Sequence, residues 1–300
     1  MTMTYAYYPG CSLKESAVEY DASTRAVLEV LGAELKDIPD WTCCGASAAD
    51  AVSESMGLLL PARNLALAAR DEPGWDVLVP CSACYLNLRR VAEKTRHDHA
   101  MLDRINSGLA GEGLELSGEV RVRHLLDVLS SDLLEAFTGR VKRSLNGLRV
   151  APYYGCQALR PYAVFDDPEH PVSMEPLVEA MGGEVVPWGA GNRCCGASLL
   201  VTHRQAALDR VDEILAQAGD ADVVVTVCPL CQMNLESARR SALAGREKPL
   251  SILYLPQLMG LALDLAPRRL LLDKNMRAEP GLAAGRLPEP AQKDEPVVNA

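Results

Sequence analysis

Ten cysteines fall into two sets of five, each in the same order. The first set is Cys11, the adjacent pair Cys43–Cys44, then Cys81 and Cys84; the second is Cys156, Cys194–Cys195, Cys228 and Cys231. The gaps are 31, 36 and 2 residues in the first set and 37, 32 and 2 in the second, and no cysteine is left over. Thiolates are metal ligands and redox groups. A structural zinc uses four ligands, and a cubane iron–sulfur cluster is held by four cysteines. Five thiols exceed both. Adjacent side chains diverge, which suits an extended cluster where two sulfurs reach different metal atoms or one bridges two. Gly45 and Gly196 follow the pairs, and glycine lets backbone approach a bulky group. The plainer readings are zinc in both halves, which leaves ligands unused, and two metal-free dithiol pairs, which leave Cys11 and Cys156 without a role.

The elements that must position these thiols are duplicated. AYYPGC (6–11) matches PYYGC (152–156), CCGAS (43–47) is identical to CCGAS (194–198), and VLVPCSACYLNL (77–88) parallels VVTVCPLCQMNL (224–235). VRHLLDVL (122–129) resembles ILYLPQLM (252–259), which sets His124 against Tyr254. A period near 147 residues means two copies of one domain, expected at 1–140 and 148–272. Strands are predicted at 4–8, 76–80, 149–154, 184–188 and 222–227, and helices at 15–31, 54–70, 84–95, 173–181, 203–217 and 231–241. This alternation predicts an α/β fold, each half a mostly parallel sheet flanked by helices, with strand order open. Cysteines then sit at the carboxyl ends of strands, and both Cys-x-x-Cys motifs open helices, whose N-terminal N–H groups favour thiolates.

Residues 97–118 have no counterpart in the second half and read as an inserted helix and loop. Arg140, Lys142 and Arg143 read as a solvated linker, and the proline-rich 273–300 as a disordered or partner-bound tail. The net charge of −10 and pI near 5.1 argue against nucleic acid. No secretory signal and no apolar run of 18 residues is present, so a cytoplasmic protein without a membrane span is expected, where ten cysteines favour metal or redox chemistry over disulfides.

The spacings C-x31-CCG-x35-C-x2-C and C-x37-CCG-x31-C-x2-C resemble the cysteine-rich CCG domain, and two complete copies over residues 4–265 resemble the B-type subunit of heterodisulfide reductase. The resemblance implies two noncubane 4Fe–4S clusters facing each other across a disulfide-cleaving site. The first would be held by Cys11, Cys43, Cys44, Cys81 and Cys84, and the second by Cys156, Cys194, Cys195, Cys228 and Cys231. It implies a disulfide/thiol oxidoreductase within a complex, each cluster passing one of the two electrons. Expected partners are a ferredoxin-type protein like the C-type subunit of that complex and a flavoprotein like its A-type subunit. The same resemblance implies a protein-bound sulfur or lipoyl carrier. Related CCG proteins imply the alternative of an electron relay to a quinone or flavoprotein without bond cleavage. The ferredoxin-like run of some relatives, C-x2-C-x2-C-x3-C-P, is absent here, so electrons are expected to come from or go to another protein of the complex.

Outside the cysteines, His124, His170 and His203 are candidate proton donors, each weighed against a structural role. Tyr7, Tyr8, Tyr153 and Tyr154 precede Cys11 and Cys156 and serve either the site or the core. Lys14 and Arg160 follow these cysteines and offer either charge compensation or an exposed helix start; Gln232 and Asn234 read as helix caps.

Overall fold

The computed structural model describes residues 3–46, 48–117, 119–239, 243, 246 and 248–287. The first half forms strands β1 (Met3–Tyr7), β2 (Ala33–Asp37), β3 (Asp76–Val79) and β4 (Val122–His124), in the order β2-β1-β3-β4. The second forms β5 (Arg149–Tyr153), β6 (Glu184–Val185), β7 (Val223–Thr226) and β8 (Ser251–Tyr254), in the order β6-β5-β7-β8. All strand pairs are parallel. The continuous apolar runs of β3 and β7 are buried, as strands covered on both faces must be. In each half the chain leaves the second strand of the order to one side and returns on the other. The carboxyl ends of β1 and β3, and of β5 and β7, therefore flank a crevice at a topological switch point.

Helices Val18–Leu31, Glu54–Asp71 and Ser82–His97 cover the first sheet, and Glu175–Ala180, Arg204–Ala216, Pro229–Glu236 and Leu255–Ala262 belong to the second. Helix His99–Leu109 is the insertion expected within 97–118. Several boundaries differ from expectation. The helix expected at 15–31 begins at Val18, after a separate short helix at Gly10–Lys14. The helix expected to run to 241 ends at Glu236, where the Arg277 guanidinium donates to the Glu236 carbonyl at 2.7 Å. The strand expected at 184–188 is two residues long, because the Trp188 indole N–H donates to the Pro152 carbonyl (2.8 Å) and turns the chain away.

The halves are not separate bodies. Helix Val18–Leu31 packs on Leu255–Ala262, and helix Leu134–Thr138 packs on Glu175–Ala180. One buried core runs through both halves, with a smaller one inside the second. The basic 140–143 stretch is fastened rather than free: the Lys142 and Arg143 N–H groups both donate to the Ala262 carbonyl at 2.9 Å, and Arg143 pairs with Asp264 at 3.5 Å.

The stretch from 273, expected to be disordered, is packed as far as Leu287, and 288–300 lie outside the described residues. The Ile252 N–H donates to the Arg277 carbonyl at 2.7 Å, and the Glu279 N–H donates to the Ser251 hydroxyl at 2.9 Å. Leu272 and Leu282 are buried. A few leucines among prolines and charges suffice to seat the segment beside β8. Ending the chain at residue 271 removes both leucines and the partner of Ile252. It will cost about 2–5 kcal/mol, read as a lower denaturation midpoint; an unchanged midpoint would contradict this packing.

Candidate iron–sulfur centres

Each five-thiol set gathers at the crevice of its own sheet. Cys11 lies in the short helix Gly10–Lys14 after β1 and Cys156 in the loop after β5, while Cys43–Cys44 and Cys194–Cys195 lie in the loops after β2 and β6. Cys81 and Cys228 are the N-cap residues of helices Ser82–His97 and Pro229–Glu236, as expected. The Cys44 and Cys84 sulfurs are 3.2 Å apart, those of Cys11 and Cys43 are 3.9 Å apart, and those of Cys195 and Cys231 are 3.6 Å apart. Cys11, Cys43 and Cys194 are exposed, Cys156 is half-buried, and the other six are buried. Each set thus has a buried inner end and an edge open to solvent.

The backbone around the thiols is shaped for a bulky group. At Gly10 (φ +68°) an added Cβ would lie 3.0 Å from the Cys84 sulfur, and at Gly155 (φ +68°) 3.1 Å from the Cys231 sulfur. Only glycine provides both this φ and this clearance. The expectation for Gly45 and Gly196 is half met. Both have positive φ, but an added Cβ there meets Ala49 and Leu60, or Ala207, and no sulfur. Their service is the turn itself, which aims the Gly45 N–H at the Cys43 sulfur (3.5 Å) and the Gly196 N–H at the Cys194 sulfur (3.4 Å).

Crowding sets the electrostatics. Hydrogen bonds from Cys43 and Cys84, with the Ala46 N–H and the Asn87 amide, pull the Cys44 thiol down to about 4. The Cys156 thiol, the Gly196 N–H and the nearby Arg210 charge pull Cys194 down to about 6. Cys228 is also lowered, by Cys231 and Cys81, while Cys81, Cys84, Cys156 and Cys231 are pushed up by their thiol neighbours and by burial. Not every thiol of a set can ionise without a compensating positive charge, and metal ions supply that charge. Among the described residues, no three of His, Cys, Asp and Glu close around a single ion. The cradles at Gly10 and Gly155 and the elongated donor sets fit a multi-iron group better than one zinc.

Supporting contacts repeat in both halves. The Asn87 amide donates to the Cys44 carbonyl (3.0 Å) and the Asn234 amide to the Cys195 carbonyl (2.6 Å). Asn234 is therefore a brace for the adjacent-cysteine loop and not a helix cap. Gln232 likewise reaches away from its helix, to the Ile252 carbonyl at 2.7 Å. The four tyrosines are all buried. Tyr8 and Tyr153 donate to the Thr42 and Arg193 carbonyls at 2.7 and 2.6 Å, and the neighbouring thiols add to burial in keeping their phenols neutral. Tyr7 donates to Asp21 (2.7 Å), and the Tyr154 oxygen accepts from the Met174 N–H (3.0 Å). Lys14 is paired with Asp21 and Asp37, and Arg160 with Glu169 and the Asn192 carbonyl.

The two sets meet across the boundary between halves, where Cys81 and Cys228 are close enough to perturb each other's ionisation and the Ser82 hydroxyl donates to the Val227 carbonyl at 3.3 Å. One side chain bridges the two strand ends: the Tyr20 hydroxyl lies 3.0 Å from the Pro80 carbonyl and 3.1 Å from the Val227 carbonyl, the residues before Cys81 and Cys228. The Tyr20 ring stacks on Tyr254 of the other half at 4.2 Å, and Phe165 of the second half stacks on His124 of the first at 6.0 Å. The pairs exchange across the pseudo-symmetric boundary. Tyr20 and Phe165 share the 145-residue offset of Cys11 and Cys156, a signal present in the sequence.

The three histidines separate. His124 is fully buried; its Nδ1 accepts the Leu126 N–H (3.1 Å), which leaves Nε2–H facing Ser82 Oγ (3.2 Å). Burial pushes it down to about 4. His170 is exposed and lines an open cavity with Cys156 and Cys194. His203 is exposed at a helix start, bonded to the Thr202 hydroxyl.

Two outcomes follow. Gly10→Ala will leave the protein with roughly half its metal, lost from the first set, and Gly155→Ala will do the same at the second; full loading of both variants, measured by metal analysis, would contradict the cradle. For His124, the unfolded chain holds a proton between pH 6.5 and about 4 that the folded chain lacks. Its stabilising contribution is present above pH 6.5 and is lost as pH falls, by up to about 3 kcal/mol. Denaturation of His124→Gln will therefore be less pH-dependent than that of the unaltered protein over this window; parallel curves would exclude the effect.

The profile of the cysteine-rich CCG domain matches residues 5–89 and 150–236. The chain is 38% identical over 282 residues to the 8-methylmenaquinol:fumarate reductase membrane anchor subunit of Wolinella succinogenes, covering 92% of this chain and 98% of that protein. It is 30% identical over 281 residues to the B-type subunit of the ferredoxin/F(420)H(2)-dependent CoB-CoM heterodisulfide reductase of Methanosarcina acetivorans, covering 89% of this chain and 92% of the relative. A crystal structure of a hypothetical protein from Helicobacter pylori shares the fold, with a TM-score of 0.73 at 16% identity over 93% of this chain; the match spans 53% of that longer chain. Among the described residues no helix is long and apolar enough to cross a membrane. With both cysteine sets complete and both halves matched, the chain belongs to the cysteine-rich CCG family, in the two-domain form of the heterodisulfide reductase B-type subunit.

Proposed function

We propose that this chain is an iron–sulfur electron-relay component of a multi-subunit oxidoreductase, with each five-cysteine set holding one noncubane 4Fe–4S cluster. The observation that carries this reading is the junction at which the Tyr20 hydroxyl bridges the Pro80 and Val227 carbonyls, which sets Cys81 and Cys228, at the buried ends of the two sets, side by side. A cluster in each set would supply one-electron redox chemistry. Cys11 and Cys43 keep the first set open to solvent, and Cys194 keeps the second open. Partners can therefore approach two separate edges, and Tyr20 holds the inner ends at a fixed separation.

One observation favours relay over disulfide cleavage. The Wolinella relative is named for a quinol-linked reductase, and a quinol is oxidised without breaking a disulfide. Disulfide chemistry is the second reading, supported by the Methanosarcina relative. Under either reading, ferredoxin-type or flavin-bearing partner proteins exchange the electrons.

The test is spectroscopic. Anaerobically purified protein should contain about eight irons per chain, and titrating the oxidised protein with a small thiol should leave its low-temperature electron paramagnetic resonance spectrum unchanged. A new thiol-dependent resonance would move the chemistry to disulfide cleavage, and zinc in place of iron would end both readings.

A further inference from the structure

Beside the second cysteine set lies an open cavity of about 1030 Å³. Cys156 and Cys194 form part of its wall, while neither Cys228 nor Cys231 nor any residue of the first half lines it. It opens on the outer edge of that set, away from the junction between the halves. The volume is at the upper end of small-molecule pockets.

The cavity is preformed. One wall is the loop 166–173, held by its own carboxylates: Asp166 accepts from the Val172 and Ser173 N–H groups, and Asp167 from those of Glu169 and His170. The other wall is 186–194, tied to β5 by the Trp188 indole and by the Tyr154 and Gly155 N–H groups, which donate to the Gly191 carbonyl at 2.8 and 3.1 Å. The Asn192 amide joins the walls through the Pro168 and Glu169 carbonyls, at 3.0 Å each.

Its charge is unbalanced. Three arginines line it, Arg160, Arg193 and Arg210, against the carboxylates of Glu169 and Glu175. Arg160 is engaged by Glu169 and the Asn192 carbonyl, and Arg210 pairs with Glu213 of its own helix. The Arg193 guanidinium has no hydrogen-bonded or ion-paired partner among the described residues. The first half is arranged differently at the matching place. There the chain around Cys11 is the short helix Gly10–Lys14, followed by helix Val18–Leu31, and its cations Lys14 and Arg25 are both neutralised by Asp21 and Asp37. An unpaired, solvent-facing guanidinium on the wall of a preformed cavity is free to take an anion in a charge-assisted hydrogen bond. The rigid apolar surfaces of Trp188, Pro187 and Val172 suit a flat body behind the anionic group.

We propose that this cavity binds a small organic anion with a flat apolar body, its acidic group on Arg193 and its far end against the Cys156–Cys194 edge. The two centres are then inequivalent: the second receives a soluble ligand and the first does not. This holds whether the pair relays electrons or cleaves a disulfide, since it concerns the outer edge of one set.

Isothermal titration calorimetry on the iron-loaded protein tests it, with benzoate, benzenesulfonate and phenyl phosphate as probes and benzamide as the neutral counterpart. At least one anion should bind, and benzamide should bind at least about tenfold more weakly. Arg193→Ala should weaken the anion about tenfold and Arg193→Glu should abolish its binding, while Arg70→Ala, remote from the cavity, should change nothing. Arg193 is exposed, so its variants should keep their iron content, which is measured alongside. Benzamide binding as well as the anions, Arg193→Glu binding like the unaltered protein, or none of the three anions binding would each overturn the proposal. None of these outcomes alters the iron count or the thiol titration that judge the relay reading.

Discussion

The structure depends on one junction, where a single phenol hydroxyl is shared between two carbonyls from two different sheets. Tyr20 lies on a helix of the first half, and its acceptors are Pro80 and Val227, each the residue before a helix-capping cysteine. A buried hydroxyl must find partners or bear the full cost of its desolvation, and burial keeps this phenol neutral and donating. The arrangement therefore holds only while both strand ends converge on it. Stacking of Tyr20 on Tyr254 and of Phe165 on His124 carries the same constraint into the aromatic core. Cys81 and Cys228 lie side by side because the backbones behind them are pinned.

Around this junction the duplication is used unevenly. The thiols, the cradling glycines and the bracing asparagines Asn87 and Asn234 repeat almost without change. Phe165 repeats the ring of Tyr20 but lacks its hydroxyl, so only one half supplies the bridge. The loops at the outer edges diverge further: a helix with paired charges follows Cys11, and a looped segment with an open cavity follows Cys156. Symmetry is kept where metal has to be held and relaxed where the two edges meet different surroundings.

Most of the fold is legible in the sequence because buried parallel strands are written as apolar runs, such as VLV at 77–79 and VVVT at 223–226. β2 is not, because AELKD is a mostly polar edge strand whose pairing is decided by its neighbour β1. Composition misreads the tail because it averages over the prolines and hides Leu272 and Leu282, which decide the packing. At the sites, residue type and spacing point to the ten cysteines. The sequence draws attention to Gly45 and Gly196 rather than Gly10 and Gly155, since it cannot tell which glycine faces a sulfur. Asn87 and Tyr20 escape because their partners lie on other elements, although each has a counterpart at the repeat offset.

The two five-cysteine sets are joined at Cys81, Cys228 and Tyr20, and the clusters they would hold should then behave as one two-centre unit. The most direct measurement is the magnetic interaction between the centres in the reduced protein, by low-temperature electron paramagnetic resonance. A coupled pair gives a split or broadened spectrum that differs from the sum of spectra from Cys44→Ser and Cys195→Ser, each of which keeps one centre, with the difference reduced in Tyr20→Phe. A spectrum equal to that sum would contradict the two-centre unit.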